Sequence, residues 1–222
     1  MDNILLIDIG NTAVKWTFNG EYHSVLTVNF KLDLLPKADQ VFASCVGDQS
    51  LLNGLNNVVF ATSFDQFQSF KSAYDTPQDL GVDRFLTMIG AMHHYPDQNI
   101  FLIDAGSALT FDLVLANGKH QGGLIMPGLG VLRRSFEKFS SSSKHLVLEM
   151  NADNTSDAWE YGTAQMLMSV INQQIESRLE QYGDLKILLT GGDAKIINYR
   201  LAHPVEIQPH LVLDGLALYA QA

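Results

Sequence analysis

The sequence predicts an α/β protein made of two similar halves, and three observations carry that expectation. Ile4-Leu5-Leu6-Ile7 runs into Asp8-Ile9-Gly10-Asn11-Thr12 and on to Ala13-Val14-Lys15-Trp16. Phe101-Leu102-Ile103 runs into Asp104-Ala105-Gly106-Ser107-Ala108 and on to Leu109-Thr110-Phe111-Asp112. In both, an apolar strand meets Asp-x-Gly-small-small and an apolar strand returns, so Asp8 matches Asp104, Gly10 matches Gly106 and Asn11 matches Ser107. The third observation is the alternation of short apolar runs with helix-length segments along the whole chain. One Asp-x-Gly hairpin arises easily by chance, but two in matching strand contexts point to duplication. The expected division is an N-terminal lobe over residues 1–98 and a C-terminal lobe over 99–222, clamping one nucleotide between the halves.

The elements follow in order. Asn3 to about Val28 reads as a three-strand meander, with Asn19-Gly20 as the turn between its second and third strands. Leu32 to Pro36 is a short helix or turn. Val41–Val46 is a buried strand, Gln49 to Asn56 helical, and Val58–Ala61 a short strand. Phe64, Phe67 and Phe70 recur at helical spacing, which predicts a helix to about Tyr74 with an aromatic core face. Pro77 and Gly81 bracket a loop, and an amphipathic helix follows from Val82 to His94. His93-His94 at its end suits the negative end of the helix dipole better than a metal. After the second hairpin come a strand at Gln121–Ile125, a helix from Val131 to Phe139 and the polar stretch Ser140–Lys144. Thr155 or Ser156 caps a long helix to Tyr182. Lys186–Thr190 is a buried strand turning through Gly191-Gly192, an element able to pass close to a nucleotide's sugar or base. Val205–Ile207 is an edge strand, and Leu211–Ala220 a closing helix.

Composition narrows the partners. With 222 residues and 46% hydrophobic content the chain can bury a sizeable core. Fourteen basic against 24 acidic residues give a formal charge of -10, which argues against a nucleic-acid or anionic-membrane surface. Cys45 is the one cysteine, so no internal disulfide is possible, and a buried apolar role is expected for it. No signal peptide is evident in the first residues, and no apolar run approaches the ~18 residues of a membrane span, so a cytoplasmic protein is expected.

The hairpins carry the chemistry. Small residues let a phosphate approach backbone N–H groups, and Asn11 and Thr12 add donors. Gly10 and Asn11 tolerate positive φ and so suit a tight turn. Asp8, ending a buried strand, can hold a cation or its water shell beside that phosphate, and Lys15 on the return strand can add a point charge. Gly81-Val82-Asp83-Arg84 opens a helix. Asp83 is there either an acid favoured by the helix dipole or a general base, with Arg84 steering an anionic substrate.

Taken together, Asp8-Ile9-Gly10-Asn11-Thr12, Tyr74 with Gly81-Val82-Asp83-Arg84, Asp104-Ala105-Gly106, Gly122-Gly123 with Pro127-Gly128, Asn154-Thr155 and Gly191-Gly192 resemble the type III pantothenate kinases. That family belongs to the actin, sugar-kinase and heat-shock-chaperone ATPase superfamily. The resemblance runs almost end to end. It implies a duplicated actin-like (ribonuclease H-like) fold, two lobes each with a mixed central sheet flanked by helices. It implies that Asp8, Ile9, Gly10, Asn11, Thr12, Ala13, Val14 and Lys15, with Ser107, bind ATP, and that Asp8 holds Mg²⁺ through water. Asp104 would serve a monovalent cation, K⁺ or NH₄⁺. Tyr74, Gly81, Val82, Asp83, Arg84 and Thr155 would contact pantothenate, with Asp83 as the proton acceptor. The implied activity is ATP-dependent phosphorylation of pantothenate by a homodimer, the first step of coenzyme A biosynthesis. The alternative is a non-catalytic regulator on the same scaffold, of the transcription-accessory type. A further alternative is another superfamily kinase or phosphatase, acting on a sugar or polyphosphate.

Overall fold

The computed structural model describes residues 3–222. It divides into two compact units. The first runs to Pro96 and takes in Asn117–His120 and His210–Ala222; the second holds Asp97–Ala116 and Gln121–Pro209. This differs from a linear cut at 98/99, because the closing helix packs on the first sheet and the 117–120 turn bonds to Lys71.

In the first unit, β1 (Ile4–Ile9), β2 (Ala13–Phe18) and β3 (Glu21–Leu26) form the meander. Asn19 and Gly20 both take positive φ (51° and 81°), as a two-residue hairpin turn requires. β4 (Gln40–Cys45) and β5 (Val58–Phe60) complete the sheet in the order β3-β2-β1-β4-β5. β1 is antiparallel to β2 and parallel to β4, so it is central and buried: Leu5, Ile7 and Ile9 have no exposed surface. The short helix or turn expected at 32–36 is a 3₁₀ turn, Leu32–Leu34, and the stretch expected to be helical at 49–56 is also a 3₁₀ turn, Gln49–Leu52.

The helix expected over Phe64–Tyr74 is not formed. The chain makes a small hairpin of β6 (Gln66–Phe67) and β7 (Phe70–Lys71), with Gln68 at φ 53° in its turn. Phe67 and Phe70 are paired across this hairpin, and both rings pack against Phe85 at 5.8 and 5.4 Å. The three-residue spacing thus serves one aromatic cluster by a strand route. α1 (Val82–His94) follows, buried continuously from Arg84 to Ala91.

The second unit repeats the plan. β8 (Ile100–Ala105), β9 (Ala108–Val114), β10 (His120–Pro127), β11 (Lys186–Thr190) and β12 (Glu206–Ile207) form a sheet in the order β10-β9-β8-β11-β12. β8 again pairs antiparallel with its hairpin partner and parallel with the later strand. α2 (Leu129–Arg134) is shorter than the helix expected to Phe139, and a 3₁₀ turn, Glu137–Phe139, follows it. α3 (Thr155–Tyr182) buries Leu167, Met168, Ile171 and Ile175 in the core formed by Phe101, Ile103, Leu109 and Phe111. Its cap is Asn154, not Thr155 or Ser156: the Asn154 side-chain oxygen accepts the Asp157 N–H at 3.0 Å. α4 (Ala194–Asn198) follows β11, and α5 (Leu211–Tyr219) closes the chain within the first unit. The two mixed sheets with one strand order are the duplicated actin-like arrangement. No helix among the described residues is long and apolar enough to cross a membrane.

Candidate active site

Parallel pairing of β1 with β4 and antiparallel pairing with β2 place Asp8 in register between Lys15 and Ser44. Asp8 is 5% exposed, and the Lys15 ammonium lies 3.5 Å from its carboxylate. Burial pushes the Asp8 carboxyl above its ordinary value. Lys15 acts against that, the Asp83 charge adds to it, and the neighbouring Ser44 hydroxyl lowers it. Ser44 Oγ is buried beside the carboxylate and favours its charged form. The turn itself is fixed from both flanks. Val46 and Gly47 donate N–H to the Ile9 carbonyl at 3.1 and 3.2 Å, while Thr27 donates its N–H to Thr12 O and its hydroxyl to Gly10 O. Neither Gly10 nor Asn11 adopts positive φ. The turn closes instead through the Gly10 N–H to the Ala13 carbonyl, 3.0 Å. Asn11 and Thr12 are exposed at its tip.

The second hairpin has the same construction with one residue fewer: four residues separate the paired Ile9 and Val14, and three separate Ala105 and Leu109. Asp104 lies in register between Thr110 and Thr190. Here the flanking bonds come from Gly128 N–H to the Ser107 carbonyl and Asp193 N–H to the Ala105 carbonyl, both 2.9 Å. Gly191, at φ 93°, crosses so close that a Cβ would overlap Asp104 Oδ1 and the Ala105 carbonyl. Carboxylate and carbonyl oxygens converge there, a donor set suited to a hard cation.

The Gly81–Arg84 segment enters α1 with Gly81 as its cap residue and no side-chain cap. Asp83 Oδ1 accepts the Arg84 N–H at 2.8 Å, so the helix-dipole reading of Asp83 holds alongside its electrostatic reach to Asp8. Arg84 is 5% exposed; its Nη1 donates to the Tyr74 phenol at 2.9 Å and its guanidinium lies over that ring. Val82 is half-buried beside them. Thr155, the first residue of α3, is exposed in the second unit. The predicted residues therefore fall into two constellations. Asp8 to Lys15, Tyr74 and Gly81 to Arg84 belong to the first unit; Asp104, Ser107 and Thr155 belong to the second. Cys45 is half-buried, and burial raises its thiol, in keeping with an unreactive role.

Several residues escape sequence reasoning. His120 is fully buried, stacked on Tyr74 at 6.1 Å, with Ala73 N–H directed at its Nδ1. A lone histidine before a glycine pair gives no signal of that. Ser44 did leave one, a hydroxyl inside an apolar strand. Arg133 is fully buried and Lys144 bonds Asp193 at 2.5 Å. Both looked like ordinary basic residues of a helix and a loop.

The family model described as type III pantothenate kinase matches residues 48–177. A type III pantothenate kinase of Colwellia psychrerythraea is 32% identical over 98% of this chain and 100% of its own length. One from Pseudomonas aeruginosa is 34% identical, covering 97% of this chain and 98% of that protein. Among solved structures, a conserved putative Baf family transcriptional activator from Campylobacter jejuni superposes with a TM-score of 0.65 at 22% identity, covering 98% of this chain and 97% of that one. Likeness at that identity speaks for the fold alone.

Proposed function

Since the chain belongs to the type III pantothenate kinase family and is a kinase, we propose that it transfers the γ-phosphate of ATP to the primary hydroxyl of pantothenate, giving 4′-phosphopantothenate and ADP. The reading rests on two observations in the first unit: Asp8 buried at the end of β1, beside the β1–β2 hairpin, and Asp83 in the first turn of α1. So read, the first unit supplies both the base for the alcohol and the carboxylate for the phosphate end.

In this reading Asp83 accepts the hydroxyl proton as the oxygen bonds to the γ-phosphorus and the bond to ADP breaks. Phosphoryl transfer has a loose transition state, so alignment and charge carry most of the rate. The hairpin N–H groups of 8–15 bind ATP phosphate in the first unit, and Ser107 is the ATP-binding residue of the second. Arg84, set by Tyr74, draws the anionic substrate; Gly81 and Val82 shape the approach, and Thr155 adds a hydroxyl contact. The buried Asp8 carboxylate, with the Ser44 hydroxyl beside it, fits Mg²⁺ held through water, since that ion takes one or two carboxylates and keeps its waters. When bound, Mg²⁺ supplies the positive charge that offsets the phosphates and the Asp8–Asp83 repulsion. Asp104 and the Ala105 carbonyl under Gly191 fit a monovalent cation, K⁺ or NH₄⁺. A cytoplasmic homodimer in coenzyme A biosynthesis completes the proposal.

The test is ADP release with pantothenate and MgATP, with and without K⁺, for the native chain and Asp83→Asn. Turnover should require pantothenate, rise with K⁺ and fall by about 10²–10⁴ in the variant. Native-like turnover in Asp83→Asn would remove Asp83 as the base. A folded chain that binds ATP without turning over would favour the regulatory alternative.

A further inference from the structure

The second unit contains a chain of charged contacts that ends on the Asp104 hairpin. Arg133, on α2, has no exposed surface. Its guanidinium donates to the Ser143 carbonyl (2.5 Å), the His145 carbonyl (2.7 Å), the Glu160 carbonyl (3.2 Å) and Thr163 Oγ1 (3.2 Å). A buried cation with every bond directed at main-chain or hydroxyl oxygens fixes the backbone it touches. The two loop carbonyls it grips lie one on each side of Lys144. Ser141 adds a second tie, donating to Glu160 Oε1 at 2.6 Å, which holds that carboxyl below its ordinary value. The loop therefore presents Lys144 in one place, and Lys144 Nζ meets Asp193 Oδ1 at 2.5 Å. The Asp193 side chain is 6% exposed and the Lys144 side chain 61%. Asp193 in turn bonds the Ala105 carbonyl through its N–H, directly after the Gly191 crossing over Asp104.

We propose that the Lys144–Asp193 ion pair, presented by the loop that Arg133 clamps, is a positioning device that holds the Gly191–Asp193 turn against the Asp104 hairpin in its nucleotide-binding geometry. It rests on the kinase reading, and it adds two residues, Lys144 and Asp193, that act through the turn without touching the reacting atoms. The chemical argument is one of charge. Asp193 is a buried carboxylate on the turn that bonds the hairpin of a second acid, Asp104, and in the kinase reading that hairpin meets a strongly anionic ligand, a nucleoside polyphosphate. Lys144 cancels the Asp193 charge. Without it the turn relaxes toward water, and the hairpin loses its fixed flank.

The experiment is titration of MgADP by calorimetry into the full-length chain, native and with Lys144→Met, Lys144→Arg or Asp193→Asn, alongside thermal melting and steady-state kinetics. A small displacement of a binding segment can cost up to about 10²-fold, so Lys144→Met should weaken MgADP about tenfold and raise KM for ATP alike. KM for pantothenate and kcat should hardly move, and Lys144→Arg should restore affinity, because arginine keeps the charge. Native affinity in Lys144→Met overturns the proposal. So does an affinity loss shared by Lys144→Arg that follows the melting temperature, since that is a stability effect. Lys144 is largely exposed, so its variants read the proposal even where Asp193→Asn fails to fold. A native chain that binds MgADP but leaves pantothenate unphosphorylated sinks the substrate reading alone; one that binds no MgADP sinks both.

Discussion

At Asp8, the proposed binding role and stability pull in opposite directions. The fold removes its carboxylate from water and sets Asp83 within its field, and both effects favour the protonated form; Lys15 at 3.5 Å and Ser44 return only part of that. Its folded pKa therefore lies above the unfolded value of about 3.9. An acid raised in this way favours the fold below its unfolded pKa, and that contribution is lost as pH rises through the folded value. At neutral pH, above the unfolded value, burying this carboxyl is a net cost that binding of Mg²⁺ and phosphates would offset. Asp8→Asn keeps shape and removes charge, so it should abolish phosphoryl transfer while raising the melting temperature at pH 7 by about 2–4 °C, the shift that 1 kcal/mol gives a chain of this size. The gain should shrink as pH falls toward 4. Melting curves at pH 7 and 4.5 decide it: a variant less stable at pH 7 would mean that the Lys15 contact outweighs burial.

Among elements, each hairpin is only half of a device; the other half is the pair of segments that bond its flanks. Thr27 with Val46 and Gly47 do this for Asp8, and Gly128 and Asp193 for Asp104, with Gly191 passing close beside it. Gly191→Ala should therefore be costly on two counts, a left-handed φ of 93° and a Cβ overlapping Asp104 Oδ1 and the Ala105 carbonyl. Such strain costs about 1–3 kcal/mol. Gly192→Ala, where a Cβ meets nothing, should stay within about 0.5 kcal/mol. Urea denaturation of the two side by side separates them, and equal midpoints would show that the crossing has slack to yield. The hairpins could be read from the sequence because Asp-x-Gly and its flanking strands are neighbours along the chain. Their clamps could not, because Lys144 and Asp193 are joined only by the tertiary fold. Locality misled at Phe64–Tyr74, where three-residue aromatic spacing matches a helix yet Gln68 in the left-handed region turns the chain back. At the start of α3 the hydroxyls of Thr155 and Ser156 drew the cap one or two residues late, since Asn154 is an equally good cap by residue type.

On the scale of the whole chain, sequence order and compact units diverge most at the C terminus. Nothing local in Leu211–Tyr219 tells which sheet it covers. The answer lies in its crossing with α1, where Gly90 and Gly215 let two backbones touch. A Cβ at Gly90 would stand 2.5 Å from the Leu211 carbonyl, and one at Gly215 would overlap the carbonyl of Leu86. Behind this crossing Leu86, Met88, Ile89, Leu213 and Leu216 are all buried. The unit bearing Asp8, Asp83 and Arg84 is thus completed by the last residues of the chain, and it cannot reach its final packing until they arrive. A chain ending at Pro209 should expose that apolar face, bind a hydrophobic dye and lose cooperative melting of the first unit. Because deletion is a blunt change, Gly215→Val makes the sharper test. Forcing a branched side chain into a backbone contact should cost about 1–3 kcal/mol or more, since neither carbonyl can rotate away without giving up helix hydrogen bonds. The loss should be read in the first unit by hydrogen exchange at Leu86–Ala91, with Leu167–Ile175 of α3 keeping native protection. Native exchange rates in α1 of that variant would show that α5 is an accessory layer and that the sheet and α1 stand without it.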